Sequence, residues 1–323
     1  MAILLVNFGG PRDLDEIEPF LCELLCDREL IYTPFPDFIH NFLFRRAAKK
    51  RAPKIRPDYA MIGGKSPIYE TTEEMAAHLR EAMPHRPILT FHRYLPTTHT
   101  ESLQAIEECA AETIDVFPFF PQFSYVTTGS IAMLLAKRLS PKTISKLRWV
   151  ASYPTHPAFV LAWQSKISLF LKEHSLKEEE TILFFSAHGL PKSFIEKGDP
   201  YEQECKASYD AILSAFPQAL GKLAYQSKFG RGEWLRPYTD EACNQVLDWN
   251  EKRKTVVFIP LAFTSDHIET LYEIETLYLP IIRAKGLAAL RCPALNLDPL
   301  WQEAILEILQ KSDLCPTGTL LRK

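Results

Sequence analysis

TILFFSAHGLP, residues 181–191, is an apolar run cut short by a serine, a histidine, a glycine and a proline. A continuous apolar run of this length reads as a strand buried on both faces, and the residues after it are turn chemistry. The same shape occurs near the N-terminus as LLVNFGGP, 4–11. A second matching pair is VFPFFPQFS (116–124) and FIPLAFTSD (258–266), each an apolar run, a proline, further apolar residues and a hydroxyl cap. SYPTHPAF (152–159) and CPALNLDPLW (292–301) then follow the fourth apolar run of each half.

Eight such runs are present: 2–6, 88–91, 113–119, 147–151, 181–186, 223–227, 255–261 and 287–292. Helical patterns fill the intervals, among them Thr72–Met83, Gly129–Leu139, Phe159–His174 and Tyr201–Phe216. Strands alternating with helices imply parallel sheets wound by right-handed crossovers. The expected fold is therefore α/β, with two similar halves of four parallel strands, the first to about residue 149 and the second from about 150. With strand order 2-1-3-4 in each half, the switch point lies between a half's first and third strands, where ligands of doubly wound sheets bind. In the second half this sets His188, after the first strand, opposite AFTSDHIE (262–269), after the third. The first-half counterpart, NFGGP, lacks a histidine, so the turn geometry does not itself require His188.

The chain has 323 residues, 46% hydrophobic and 24% charged, with a formal charge of −3. At that length ~75% of the unfolded chain's surface is buried on folding. The charge argues against a nucleic-acid partner, which calls for a basic surface. No segment approaches the ~20 continuous apolar residues of a membrane span. MAILLVNFGGP (1–11) lacks the basic start and small-residue cleavage site of a signal peptide and reads as a first strand. Seven cysteines at 22, 26, 109, 205, 243, 292 and 315 show no CxxC spacing, and free thiols in a reducing cytoplasm are expected. Neither GxGxxG nor GxxxxGK[ST] is present, which counts against a dehydrogenase or P-loop enzyme. The basic run RRAAKKR (45–51) reads as a solvated helix face, with contact to anionic lipid or carboxylate-bearing ligands as the alternative.

TSDHIETLYEIETLY (264–278) opens like a helix: Ser265 or Asp266 can cap it, and Asp266–Glu269 has capping-box spacing. At 100° per residue Leu271, Ile274 and Tyr278 share one side, while Glu269, Tyr272, Glu273 and Thr276 share the other. Two carboxylates stacked on one face, without a lysine partner, are a solvated face in many helices. Here the helix starts at the predicted crevice with His188 opposite. A histidine and a carboxylate facing one another make a general acid/base pair or a divalent-metal site. Two protein ligands with open positions suit a site of passage, because structural zinc sites close with four.

Taken in order, LLVNFGGP (4–11), IGGKSPI (62–68), FHRYLP (91–96), FPQFS (120–124), TTGS (127–130), FSAHGLPKSFIEKGDPY (185–201), YQSKFGRGEWLRPYTDE (225–241) and PLAFTSDHIETLYEIE (260–275) resemble the ferrochelatase family, bacterial type, nearly end to end. The resemblance implies two Rossmann-like, chelatase-like halves with a porphyrin cleft between them, and a C-terminal helix at about 299–311 that packs back on the first half. It implies insertion of ferrous iron into protoporphyrin IX to give protohaem. It also implies His188 as acceptor of pyrrole protons or metal ligand, and Glu269 as its partner across the porphyrin plane. Asp266, His267 and Glu273 fall on the line along which metal or protons move, and Arg93, Tyr94, Phe123, Trp234 and Phe263 match positions that line or support the pocket. Arg93 is expected to pair with a propionate.

Two departures bear on cofactors. Some relatives hold a [2Fe–2S] cluster through a cysteine just after the PQYS motif and three near the C-terminus. Here Tyr125 takes the first position and Cys315 stands alone in the tail, so no cluster and no permanently bound cofactor are expected, and iron is a substrate. The long membrane-docking C-terminal extension of eukaryotic relatives is not expected here. Relatives that metallate coproporphyrin tend to carry a tyrosine in the first loop, where this chain has Phe8-Gly9-Gly10. The expected substrate is protoporphyrin IX, with coproporphyrin III insertion or a non-catalytic porphyrin or haem carrier as alternatives. A monomer, with peripheral membrane contact left open, completes the expectation.

Overall fold

The computed structural model describes residues 1–230 and 232–322; Arg231, inside the 225–241 motif, lies outside the described residues. Among the described residues nine strands occur in chain order: β1 (Ala2–Asn7), β2 (Ile88–His92), β3 (Ile114–Pro118), β4 (Leu147–Val150), β5 (Thr181–His188), β6 (Leu220–Gln226), β7 (Thr255–Pro260), β8 (Ala288–Arg291) and β9 (Leu314–Pro316). They form two sheets, ordered β2-β1-β3-β4-β9 and β6-β5-β7-β8. Each of the eight expected runs is a strand, and the 2-1-3-4 order is present in both sheets. The chain divides into two compact units, Met1–Ser152 with Leu309–Lys323, and Tyr153–Ile308.

In the first unit β1 to β4 run parallel, and all six residues of β1 are buried. Leu4, Val6, Val116 and Trp149 pack with Ile131, Ala132 and Leu135 of the helix Thr128–Arg138. Each fully buried aliphatic side chain contributes roughly 1.5–3 kcal/mol. Four strands were expected here and five are present: β9 pairs antiparallel with β4 through Trp149↔Cys315. A three-residue segment, LCP, carries no strand signal of its own. It is recruited because the free edge of β4 offers unpaired amides and carbonyls. The Trp149 indole N–H donates to Thr317 Oγ1 at 3.0 Å and fixes the return. The helix Pro299–Lys311, expected on the first half, lies with the second unit as far as Ile308. Its fully buried Trp301 packs on Tyr153 and Phe159, with ring centroids 6.0 and 6.1 Å apart.

The second sheet is wholly parallel, and Ser186 of β5 stands beside Pro260 of β7. Phe184 and Phe258 stack at 4.4 Å in its core. The acidic segment after β7 departs from expectation. It is not an α-helix; Glu269–Tyr278 winds as a ten-residue π-helix, followed by an α-helix at Leu279–Ala284. Bonds of the i→i+5 type widen the turn to about 4.4 residues. The buried face is accordingly Thr270, Ile274 and Tyr278, four apart, while Leu271 is only half-buried. Glu269 and Glu273 keep a common face, because four residues nearly complete one π turn. Pro280, which has no amide proton to donate, is the second residue after the π run.

Candidate active site

β5 ends on His188, and the chain turns at Gly189, whose amide donates to the Gln226 carbonyl at 2.7 Å. A β-carbon at residue 189 would stand 2.8 Å from that carbonyl oxygen and 3.1 Å from the Trp234 ring, so only glycine fits. His188 Nδ1 lies 2.6 Å from the Gly189 carbonyl. A carbonyl only accepts, so Nδ1 carries the proton and the neutral ring has its lone pair on Nε2. The Tyr201 hydroxyl donates to the His188 carbonyl at 3.0 Å and holds the strand end.

His188 Nε2 faces Glu269 Oε1 at 3.6 Å, wider than a hydrogen bond. The other carboxylate oxygen is 3.4 Å from Nε2 of His267, whose Nδ1 donates to the Ser265 carbonyl. Two imidazoles therefore turn their Nε2 atoms toward one carboxylate. Lone pair facing lone pair is repulsive, so the cluster binds a proton or a cation favourably. Burial disfavours the imidazolium of His267, but the hydrogen bond and charge of Glu269 outweigh this and raise its pKa. Burial likewise pushes the Glu269 carboxyl up; the charge of His188 and the bond from His267 reverse this and hold it below the ordinary carboxylate range. One turn along, Glu273 accepts from Ser227 Oγ at 2.5 Å and Gln226 Nε2 at 3.2 Å. Burial first, and the neighbouring Glu269 second, push its carboxyl up. Phe263 sets its ring edge-on to His188 at 6.4 Å and against His267 at 4.4 Å. Trp234 is buried behind Gly189, bridged through its backbone to Pro191.

Asp266 differs from its expected place on the metal or proton line. Its Oδ1 accepts from Thr270 Oγ1 at 2.7 Å and Arg291 Nη1 at 2.9 Å, and its Oδ2 from Asn296 Nδ2 at 2.8 Å. With both oxygens spent, Asp266 anchors the entry to the π-helix. The capping box does not form either, because these longer-range donors take the carboxylate and the cap position falls on Ile268.

The remaining expected site residues belong to the first unit. Arg93 donates from Nη1 to Glu23 at 2.8 Å, from Nη2 to Asp27 at 2.9 Å and from Nε to Ser130 at 2.9 Å. The Tyr94 hydroxyl joins the same Asp27 at 2.8 Å. The guanidinium expected on a propionate is thus already committed to two carboxylates inside the protein. Phe123 is buried in the first sheet's core, edge-on to Tyr125 at 5.1 Å. Sequence reasoning assigned no role to Gln226, Ser227 and Tyr201. The doubly wound order did hold a signal for the first two, since β6 is the neighbour of β5 and ends level with His188.

Among the described residues no three or more histidine, cysteine, aspartate or glutamate side chains converge as a metal site. What the arrangement offers is one imidazole lone pair and one low-pKa carboxylate at a sheet's switch point, suited to transient capture of a proton or a divalent ion.

The fold is that of a chelatase. The chain is similar to CbiX, described as the terminal enzyme of sirohaem biosynthesis in denitrifying bacteria, with 16% identity and a TM-score of 0.53 over 97% of this chain and all of that one. It is also similar to SirB from Bacillus subtilis, solved with Fe3+, with 14% identity and a TM-score of 0.52 over 96% of this chain and 94% of that one. At these identities the likeness concerns the fold alone. The model of the Ferrochelatase family matches residues 1–313. Proteins named ferrochelatase from Chlamydia caviae and Chlamydia abortus are 43% and 42% identical, covering 99% of this chain and 99% and 98% of their own lengths. The chain belongs to the ferrochelatase family, metal-inserting lyases of haem biosynthesis whose substrates are a porphyrin and iron.

Proposed function

We propose that the chain inserts ferrous iron into protoporphyrin IX to form protohaem, releasing two protons, in the last step of haem biosynthesis. The observation that carries this is the 3.6 Å separation of the His188 Nε2 lone pair and Glu269 Oε1. Two donors each about 2.0–2.2 Å from one metal ion at a tetrahedral angle lie roughly 3.4 Å apart. A histidine nitrogen and a single carboxylate hold a divalent ion loosely enough to release it. His188 Nε2 accepts a pyrrole proton as the ring nitrogens take the metal, and the Gly189 carbonyl keeps Nδ1 protonated, so Nε2 stays the basic atom. Glu269, its carboxyl held below the ordinary carboxylate range, stabilises the imidazolium so formed. Glu273, with its carboxyl pushed up, is the readier resting place for a proton on its way out. Phe263 supplies an apolar surface beside the reacting nitrogen.

Protoporphyrin is chosen over coproporphyrin because the first loop carries Phe8, set edge-on to Tyr94 at 4.5 Å, where coproporphyrin-using relatives tend to carry a tyrosine. Assaying iron insertion with both porphyrins side by side tests the choice. Faster turnover of coproporphyrin III reverses it, and tight porphyrin binding without insertion makes the protein a carrier.

No resident cofactor is part of the reading. All seven cysteines are free, and Tyr125 and a solitary Cys315 stand where a cluster would need ligands, so purified protein should lack [2Fe–2S] absorbance. The free thiols favour the cytoplasm. A monomer touching membranes peripherally fits the helix Asp37–Met61 and its approach: Tyr32, Phe38 and Phe42 are 74%, 73% and 65% exposed, beside exposed Arg45, Arg46, Lys49 and Lys50. Among the described residues no helix is long and apolar enough to cross a membrane. Co-sedimentation with anionic but not neutral vesicles, lost on Phe38→Ser with Phe42→Ser, tests the contact.

A further inference from the structure

We propose that Gln226 is a positioning residue for metal insertion: it ties the turn after His188 to the first turn of the π-helix and so sets the separation of His188 from Glu269. The inference rests on the insertion reading above.

Gln226 is the last residue of β6, level with His188 in the parallel register, and is only 1% exposed. Its backbone carbonyl accepts the Gly189 amide at 2.7 Å. Its side-chain Nε2 donates to the Glu269 carbonyl at 2.9 Å and to Glu273 Oε2 at 3.2 Å. Its Oε1 accepts from Ser186 Oγ at 2.6 Å. The orientation of the amide is determined by its partners, because a carbonyl and a carboxylate both require the donor end. Ser186 therefore sets the amide from β5, and the amide sets the π-helix. One residue thus contacts the strand that carries His188, the turn that aims it, and the backbone of Glu269 itself.

An apolar side chain of the same length would fill this space, so packing alone does not call for glutamine. The bonds do. Without the Nε2 donor the Glu269 carbonyl loses a buried partner. The first turn of the π-helix is then no longer held to β6, and the 3.6 Å gap between the two donor atoms loses its brace. Misplacement of a reacting group on the ångström scale costs far more in rate than in binding.

The test uses the whole chain with Gln226→Met, which keeps shape but removes the donor, and Ser186→Ala, which removes the bond that orients the amide together with a 3.3 Å contact to Thr239 Oγ1. Zinc insertion into protoporphyrin, read by fluorescence, is expected to lose about tenfold or more in kcat for Gln226→Met, with the KM for porphyrin within about twofold. Ser186→Ala is expected to lose less in the same direction, and it carries the test should Gln226→Met not fold. Amide hydrogen exchange at residues 269–274 should quicken in both, with the rest of the second unit unchanged. A folded variant with unchanged kcat, or with unchanged exchange in that segment, overturns the proposal. Absence of insertion by the unmodified protein refutes the functional reading instead, and the exchange measurement alone then decides whether Gln226 braces the helix.

Discussion

His188 Nε2 and Glu269 Oε1 face each other at 3.6 Å, each on the rim of a neighbouring β–α unit of one sheet, with no hydrogen bond between them. The separation leaves room for an ion or a transferred proton. Removing either atom should act on turnover and leave the fold standing, because His188 is the last residue of β5 and Glu269 lies beyond the end of β7.

His188→Ala and Glu269→Gln are each expected to lower zinc or iron insertion by about 10²–10⁴, the range for loss of a positioned acid–base group. Porphyrin affinity, read by absorbance titration, should change little. Near-normal turnover in both variants would remove the assignment.

His267→Asn should move the acid limb of the kcat/KM profile to higher pH. Burial raises the Glu269 carboxyl, and His188 and His267 together pull it below the ordinary value of 4.5. Without His267 the carboxyl titrates higher, so the ionised form is lost earlier as pH falls. The stability that charged His267 contributes is present below 6.5 and lost as pH rises through its raised folded value, so the variant's deficit in stability should be largest in acid. An unmoved acid limb would contradict the coupling.

Arg93→Met should destabilise the protein by about 3–5 kcal/mol in urea unfolding, since the buried Asp27 and the half-buried Glu23 are left without their cation. Arg93→Lys should rescue little, because one ammonium cannot serve Glu23, Asp27 and Ser130 in the planar fork they share. A variant with intact stability and a raised KM for porphyrin would instead restore the propionate role.

Glu73→Gln tests a carboxylate away from the site. His92 Nε2 stands 3.0 Å from Glu73. Burial raises the Glu73 carboxyl, and the hydrogen bonds from His92 and Thr90 together with the nearby charges of His92 and Arg80 more than reverse it. A lowered carboxyl contributes stability above 4.5 that disappears as pH falls through the folded value. Partial exposure reduces the effect, so a loss of about 1 kcal/mol at neutral pH is expected, shrinking in acid. A loss that stays constant across the range would assign the effect to shape.

The strands were legible because both faces of each sheet are covered, which writes them as unbroken apolar runs such as ILLV and TVVFI. Their order followed from the repeat, and with it the meeting of His188 and Glu269. The second strand pairing of Trp149 was hidden, since LCP looks like loop until an edge recruits it. The π winding was hidden for another reason: Glu269 and Glu273 share a face in an α-helix and in a π-helix alike, so the carboxylate spacing could not tell them apart. Only the burial of Thr270 in place of Leu271 separates the two. Arg93 shows how a residue's chemistry can be read correctly and its partner missed. Its carboxylates lie 70 and 66 residues earlier in the chain, where no local pattern points to them.

The antiparallel strand β9 also bears on how the protein is made. Residues Tyr153–Ile308 form one uninterrupted stretch, whereas the unit that begins at Met1 is completed only by Leu309 onward. During synthesis the later unit has all of its residues before the earlier one does, so β4 waits with a bare edge until residues 314–316 are made. A nascent chain stalled just short of residue 314 should therefore hold a finished second sheet and an unsealed first one.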